Sequence, residues 1–516
     1  MRSVARCSEE TACFMLNKQK IRRTDMKWTR RIIPLLLLGL LLPVMAACRS
    51  DAPADTTTEK VTTKAPVSRY NFEARGYTGD DLIVRVACIA QSEDNQIRRS
   101  LQADPSDGSE LSKLIYEREQ LLKTEWGLEL ELVELLGDDE ALEALNASLL
   151  AGTCSYDLLA GYQYGVMELA SKGYLLDLSH MEQYGVDQAY HPLVDHAGWA
   201  TEYNREINPS GAQFWITGYF SLDYAGGMYC TFVNSKLYNQ CWDQDVSELV
   251  TLALNGKWTV DRMTEMIADF DHYTKKTNSK DNFGFGYEKN GMIDALALGM
   301  TAKFAEEFQG KGYILVNSGN MERASQGIHA LTKLDSSVEY EDNDGANAMA
   351  AFAEGKLLFA INRIGLAEHL IKDSDQFKLL PMPKYDSKQT NYITAVDENC
   401  TVFGIVYCTD KIEQASAVLS LCKERSFGFA LRYYETVLKQ SLKRYNDDRK
   451  MIELIVSSVE ADFGYAWGKS LGDMTRIFRS CEEISVRDLI HMLSGWWDSL
   501  DEISGRFATF VTPPEK

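Results

Sequence analysis

An α/β fold of two lobes, each built from discontinuous stretches of chain and followed by a helical C-terminal segment, is predicted by three observations. Apolar β-rich runs alternate with amphipathic helical stretches between residues 82 and 178. This alternation gives way near 226–233 to a region dominated by helical patterns, and strand-like runs return at 377–382 and 401–408. A chain that leaves one sheet and comes back to it makes discontinuous lobes, an arrangement that can close like a hinge.

Each element has a local reason. Residues 82–89 form a β-rich apolar run, and 109–124 an amphipathic helix opened by Ser109 as N-cap. A second strand at 128–133 is followed by a helix over 138–150. A third strand, 156–161, ends in Gly161 and leads into a helical 166–172. Strand–helix units of this size imply a parallel sheet with right-handed crossovers. Ligands bind such sheets beyond the carboxyl ends of the strands.

The front end carries an export signal. Lys27, Arg30 and Arg31 precede an apolar run over 32–47 that stops at Cys48. This run is shorter than the roughly 20 apolar residues that span a bilayer, and it has the layout of a secretory signal. Val44-Met45-Ala46-Ala47-Cys48 resembles a lipobox, in which Cys48 becomes the lipid-bearing N-terminus. Residues 1–25 are read as the product of a start codon upstream of the natural one at Met26, 26–47 as the signal peptide, and 48–79 as a lipidated cysteine with a flexible Thr/Pro/Ala-rich tether. The expected location is the outer face of the cytoplasmic membrane of a Gram-positive-type cell.

The 516-residue chain carries a formal charge of −21, and removal of 1–47 takes away nine basic and three acidic residues. Such acidity excludes nucleic acid as partner, since nucleic acid needs a positive footprint; membrane association is left to the lipid anchor. Eight of the eleven cysteines lie beyond Cys48, dispersed through apolar segments. They are expected to be buried thiols, although an even number in an exported chain also permits bridges. No cysteine or histidine spacing suits zinc, no other cofactor is expected, and a monomer is expected.

Several motifs follow one another along the chain: Tyr156-Asp157-Leu158 with Gly173-Tyr174-Leu175-Leu176-Asp177-Leu178, Phe232-Val233-Asn234-Ser235-Lys236-Leu237, and Trp258-Thr259-Val260-Asp261. Phe352-Ala353-Glu354-Gly355-Lys356, Pro381-Met382-Pro383 and Val402-Phe403-Gly404-Ile405 come next. In this order they resemble bacterial extracellular solute-binding proteins of the sugar-binding class. Tyr433 to Lys439 and Arg444 to Ile455 resemble a helical segment of a Gram-positive branch of these lipoproteins. Two departures are Cys154, where glycine or a charged residue is commoner, and a longer stretch over 191–225. The resemblance implies a type II periplasmic-binding-protein-like fold that closes on a carbohydrate, expected to be an oligosaccharide, and delivers it to the permease subunits of an ABC importer. It divides the body into an N-terminal lobe, 80–230 plus 364–408, and a C-terminal lobe, 231–363 plus 409–516.

A sugar cleft needs aromatic rings to stack on pyranose C–H faces and planar polar groups to bind hydroxyls. Candidates in loop positions are Tyr162 and Gln163 after the third strand, Trp199, Trp215 and Asp223 in the long aromatic stretch, Arg363 after the strand at 357–361, Asp397 before a crossover strand, and Trp467 in a glycine-flanked break. For Arg363 the competing role is a salt bridge holding an interlobe turn. Asp397 and Glu398 are adjacent, so one of them is expected to face the cleft. Trp258 is assigned to packing at a helix start.

A ligand-binding sensor with the same lobes, or a secreted glycoside hydrolase, is the alternative function. The hydrolase would need a marked carboxylate pair, and nothing in the sequence marks one. No G-x-S-x-G, H-E-x-x-H or phosphate-binding loop occurs, and Asp342-Asn343-Asp344-Gly345 lacks the flanking ligands of a calcium loop. No catalytic residue is therefore assigned. Replacement of Cys48 by Ser is expected to leave the precursor uncleaved or to release it from membranes; fractionation and mass of the N-terminus check this, and an unchanged processed, membrane-bound product overturns it.

Overall fold

The computed structural model describes residues 71–510, apart from 91–95, 105, 137–138, 194–199, 210, 308–312, 316–317, 371–375, 425, 440–441, 443–445 and 495–496. The signal peptide, Cys48 and most of the tether lie outside the described residues, as does Trp199.

Along the chain, β1 (Ile83–Ala90) leads through α1 (Glu110–Leu121) to β2 (Glu129–Leu136), then through α2 (Asp139–Leu150) to β3 (Leu158–Tyr162). Ser109 caps α1 as expected, its hydroxyl accepting from the Ser112 amide at 3.1 Å. A short helix, α3 (Thr201–Ile207), precedes β4 (Tyr229–Asn234). Then come α4 (Val260–Thr277), β5 (Phe283–Tyr287), α5 (Gly291–Gly299), and the short pair β6 (Ala305–Glu307) and β7 (Tyr313–Leu315). Next are β8 (Ser337–Glu339), α6 (Ala346–Ala353), β9 (Leu357–Arg363), β10 (Phe377–Leu380) and β11 (Thr401–Ile405). Helices α7 (Ile412–Glu424), α8 (Ser426–Leu438) and α9 (Asp447–Ser457) open the C-terminal segment.

Two sheets organise the chain. The first has the order β11-β3-β1-β2, with β1 parallel to both neighbours and β11 antiparallel to β3. β1 sits centrally and is buried along most of its length, which explains a nearly continuous apolar run instead of alternation. The second sheet has the order β10-β4-β9-β5-β8, with β10 and β9 antiparallel to β4 and β5 parallel to β9 and β8. Its core joins Phe232 to Phe377 and Phe352, and Trp258, fully buried, packs against Phe359 at 5.5 Å. Gly355 takes φ +79° in the turn from α6 into β9, a backbone state that glycine supplies without a side-chain clash.

Three of the sequence expectations need correction. The stretch 364–408 is shared between the lobes: β11 joins the first sheet, but β10 pairs with β4 in the second, Phe377 opposite Asn234. The stretch 409–516 is shared too. Lys411 donates to the Ile83 carbonyl, and α7 and α8 pack on β11 and α1 of the first lobe, whereas α9 packs on β10. The last residues of the supposed tether are folded, since Phe72 is fully buried, stacks on Tyr190 at 5.1 Å and donates its amide to the Trp126 carbonyl.

The cysteines divide. Cys88, Cys230, Cys241, Cys400, Cys422 and Cys481 are free thiols, but Cys154 and Cys408 form a disulfide. The β3–β11 register, Leu158 opposite Ile405, carries on past both strand ends and brings these two cysteines together, their Cα atoms 5.7 Å apart. Reduction of this bridge is expected to lower stability by about 2–4 kcal/mol. Denaturant titration with and without reductant, beside non-reducing peptide mapping, checks it; equal midpoints overturn it.

Candidate functional site

Where the sheets meet, four stretches of chain run side by side. The Tyr229 amide donates to the Ala395 carbonyl, that of Ile364 to Met228, and that of Asp397 to Gly227, so the starts of β4, of the turn after β9 and of the approach to β11 are bound to one another. Beside them Thr394 exchanges hydrogen bonds with Ser458 and Glu460. The carboxyl ends of β3, β5 and β9 bring Tyr162, Tyr287 and Arg363 to the end of each sheet that ligands use in α/β folds.

Arg363 and Asp397 come together, as ties between these stretches. The Arg363 guanidinium donates to the carbonyl and carboxylate of Asp344 at 2.7 and 2.8 Å and lies 3.3 Å from Asp397. Asp397 accepts from the Tyr229 hydroxyl at 2.8 Å and the Asn399 amide at 2.9 Å. For Arg363 this is the interlobe salt bridge named as its competing role.

Next to this tie lies a charged and aromatic cluster. Glu398 stands 3.5 Å from Arg476 and 3.6 Å from Arg479. Burial, and then the charge of Asp397, push its carboxyl up to about 7 against the pull of the arginines. Arg479 Nε donates to Asp294 Oδ2 at 2.9 Å. Asp294 is 5% exposed, and its burial raises its carboxyl to about 6 against the same arginine. Tyr164 donates its hydroxyl to Asp473 at 2.8 Å and lies under the Arg476 guanidinium, 4.9 Å from ring centre. At the start of α5, Gly291 is required by close approach, because a Cβ there would meet the Tyr229 hydroxyl at 2.8 Å and that of Tyr465 at 3.4 Å. Two buried polar atoms of this cluster have no hydrogen-bond partner among the described residues, Asp294 Oδ1 and the Tyr465 hydroxyl. Buried polar atoms are otherwise almost always paired.

The remaining sequence candidates lie elsewhere. Trp215 is fully buried and spends its indole N–H on the Met167 carbonyl. Trp467 is 1% exposed, donates to the Ile207 carbonyl at 2.8 Å and stacks on Phe463. Both are packing residues here, a correction whose physical reason is that protein covers both faces and satisfies the one polar atom. Gln163 is fully buried, accepting from Tyr203 at 2.8 Å inside the first lobe, and Asp223, half-buried, accepts from Thr401. Tyr162 closes β3 with its ring buried over Gly165. Asp294, Asp473, Arg476 and Arg479 were missed. Asp294 left a signal, a lone acid in the apolar run Gly291-Met292-Ile293-Asp294-Ala295-Leu296.

A cavity of about 470 Å³ lies apart from this cluster, lined by Thr301, Lys303, Asn320, Tyr385, Gln389 and Glu460. It sits past the far end of α5, ~15 Å from Gly291 at 1.5 Å per residue. Within it Lys303 pairs with Glu460 at 2.9 Å and Gln389 donates to the Gly299 carbonyl at 2.8 Å. Of the eleven buried side-chain polar atoms without a partner among the described residues, Asp294 Oδ1, Thr394 Oγ1 and the Tyr465 hydroxyl lie at the junction of the sheets.

The family model described as bacterial extracellular solute-binding protein matches residues 119–404. Among solved structures, the GacH receptor of Streptomyces glaucescens, determined unliganded and with acarbose, aligns with TM-score 0.54 and 13% identity over 81% of this chain and 99% of that one. The galacto-N-biose-/lacto-N-biose I-binding protein of an ABC transporter from Bifidobacterium longum, in complex with lacto-N-biose, aligns at 0.51 and 10% over 84% and 99%. UgpB from Mycobacterium tuberculosis, in complex with glycerophosphocholine, aligns at 0.50 and 14% over 77% and 96%. No curated protein matches the chain. At these identities the likeness to the solved structures is one of fold.

Because the folded state holds the Glu398 proton more tightly than an unfolded chain does, the stability this confers is full below the ordinary value of 4.5 and is lost as pH rises through about 7. A Glu398→Gln variant, unable to ionise, is expected to gain melting temperature relative to the parent between pH 4.5 and 7.5. Calorimetry across that range checks it, and a constant difference overturns it.

Proposed function

We propose, from the premise that this chain belongs to the bacterial extracellular solute-binding protein family, that it is the capturing subunit of an ABC importer and takes a carbohydrate, an oligosaccharide, at the junction of its two sheets. The observation that carries this reading is the pair of unpartnered buried polar atoms, Asp294 Oδ1 and the Tyr465 hydroxyl, in a cluster of planar polar and phenolic side chains. A sugar hydroxyl both donates and accepts, so one hydroxyl can serve a carboxylate acceptor and a phenol at once. Tyr465 adds an amphipathic ring of the kind a pyranose needs, one face apolar and the rim polar. Structural relatives solved with acarbose and with lacto-N-biose support the same ligand class.

Binding instead of turnover is part of the proposal, in keeping with a family of solute-binding proteins. Among the described residues no helix is long and apolar enough to cross a membrane. The proposal includes attachment through a lipid on Cys48, with a tether that lets the body meet a permease at the membrane surface.

A thermal-shift screen against mono- and oligosaccharides tests the ligand class, since a ligand that binds only the folded state raises stability by about 2.7 kcal/mol at a hundredfold excess over Kd. Stabilisation by peptides, polyamines or metals with none by sugars overturns it, and so does product formation from the bound glycan. The Tyr465→Phe variant is the sharper test. Its hydroxyl has no partner to lose in the free protein, so the melting temperature is expected to hold while affinity for the glycan found in the screen falls by about 0.5–1.5 kcal/mol, roughly twofold to tenfold. Unchanged affinity by calorimetry places Tyr465 outside the ligand site.

A further inference from the structure

At the junction of the sheets the charged side chains form two ion-pair networks of unequal count. The longer runs from Asp294 to Arg479, Glu398, Arg476 and Asp473, with successive separations of 2.5, 3.6, 3.5 and 3.5 Å. The shorter runs from Asp344 to Arg363 and Asp397, at 2.8 and 3.3 Å. Each begins and ends in a carboxylate, so five acids share three guanidinium groups, and every one of these arginines already faces two carboxylates. Lys289, close by in sequence, is turned to Glu339 at 2.9 Å. Hydrogen bonding shows the same imbalance. Asp294, 5% exposed, receives both bonds from Arg479 on Oδ2, and its Oδ1 has no donor among the described residues. Tyr465, 9% exposed, has an unpartnered hydroxyl beside Gly291 at the start of α5. What that helix end offers to an anion is used internally, since Asn290 accepts from the Met292 amide and Asp294 stands in the first turn. Acceptors are in surplus here, and the guanidinium donors are committed.

We infer that the ligand carries a basic nitrogen, and that among sugars of one skeleton the site ranks an amino sugar first, the neutral sugar second and the uronic acid last. This ranking rests on the carbohydrate reading above and narrows it. An ammonium group donates three hydrogen bonds and brings the charge that the two networks lack, whereas a hydroxyl donates one and brings none. A buried acceptor without a donor is costly, and a ligand group that donates to it relieves that cost. A ligand carboxylate, by contrast, reaches a guanidinium only by displacing a carboxylate already paired with it, and it adds to an excess of like charge. The outer acids of the two networks, Asp344 and Asp473, are exposed and half-buried. Both have left-handed backbones, φ +52° and +55°, a conformation that asparagine tolerates. Asp344→Asn and Asp473→Asn therefore each remove one charge and keep shape and backbone.

Calorimetric titration of the full chain at neutral pH with the monomers and β-1,4-linked tetramers of glucosamine, glucose and glucuronic acid, and with spermidine, tests the ranking. The glucosamine forms are expected to bind about fivefold to tenfold tighter than the glucose forms, and the glucuronic acid forms most weakly. In each of the two variants the ratio of glucosamine to glucose affinity is expected to shrink by about threefold. The variants lie on different networks, so one decides the point if the other fails to fold. Glucose forms that bind as tightly as glucosamine forms, glucuronic acid forms that bind tightest, or a ratio unchanged in both variants overturn the ranking and leave the carbohydrate reading standing. Binding of spermidine with no sugar bound supports the basic nitrogen and overturns the carbohydrate. Binding of none of these probes overturns both.

Discussion

Asp397 is the residue on which the arrangement of the two lobes depends. Its carboxylate accepts from Tyr229 at the head of β4 and faces Arg363 at the tail of β9, while its own backbone is bound to Gly227. One side chain therefore joins all three crossover stretches. An ion pair this well buried adds little net stability, since desolvation offsets the attraction, but loss of one partner strands the other at a cost of about 3–5 kcal/mol. The tie thus acts on geometry more than on stability. It fixes how the three crossovers lie against one another, and every residue that projects from their ends inherits that placement.

Glu398 shows the same constraint from the other side. It follows Asp397 directly, so the two side chains diverge, one toward the crossovers and the other toward Arg476 and Arg479. The two neighbours divide the labour: Asp397 holds the frame and Glu398 enters the cluster beside Asp294 and Tyr465. Its proton is retained near neutral pH because burial and the charge of Asp397 act together.

Several strands, helices and turns were legible because each rests on local pattern: the unbroken apolar run of β1 and the Ser109 cap in the first lobe, the Gly355 turn in the second. The order of motifs was legible as a family likeness. Sheet membership of β10 was not, because it is decided by pairing with β4 far away in the chain. The tryptophans misled for a similar reason. Gly- and polar-rich surroundings suggested loops open to ligand, but Trp215 and Trp467 are satisfied by carbonyls 48 and 260 residues away, which no local window reveals. Arg363 and Asp397 were singled out because polar side chains at strand ends and before crossovers have few roles open to them, and the role observed is the tie between those stretches. Arg476 and Arg479 were missed because a pair of cations three apart on a helical turn reads as solvated surface.

The Cys154–Cys408 bridge spans 254 residues, and all five strands of the second sheet lie inside that span. Covalently, the second lobe is thus a long excursion from a closed ring whose clasp is in the first. A protease that cuts any loop between β4 and β10 leaves β1, β2 and β3 still joined to β11 and the helices after it, as one molecule. Outside a cell, where no machinery repairs a broken chain, the first lobe would keep its fourth strand through such a nick.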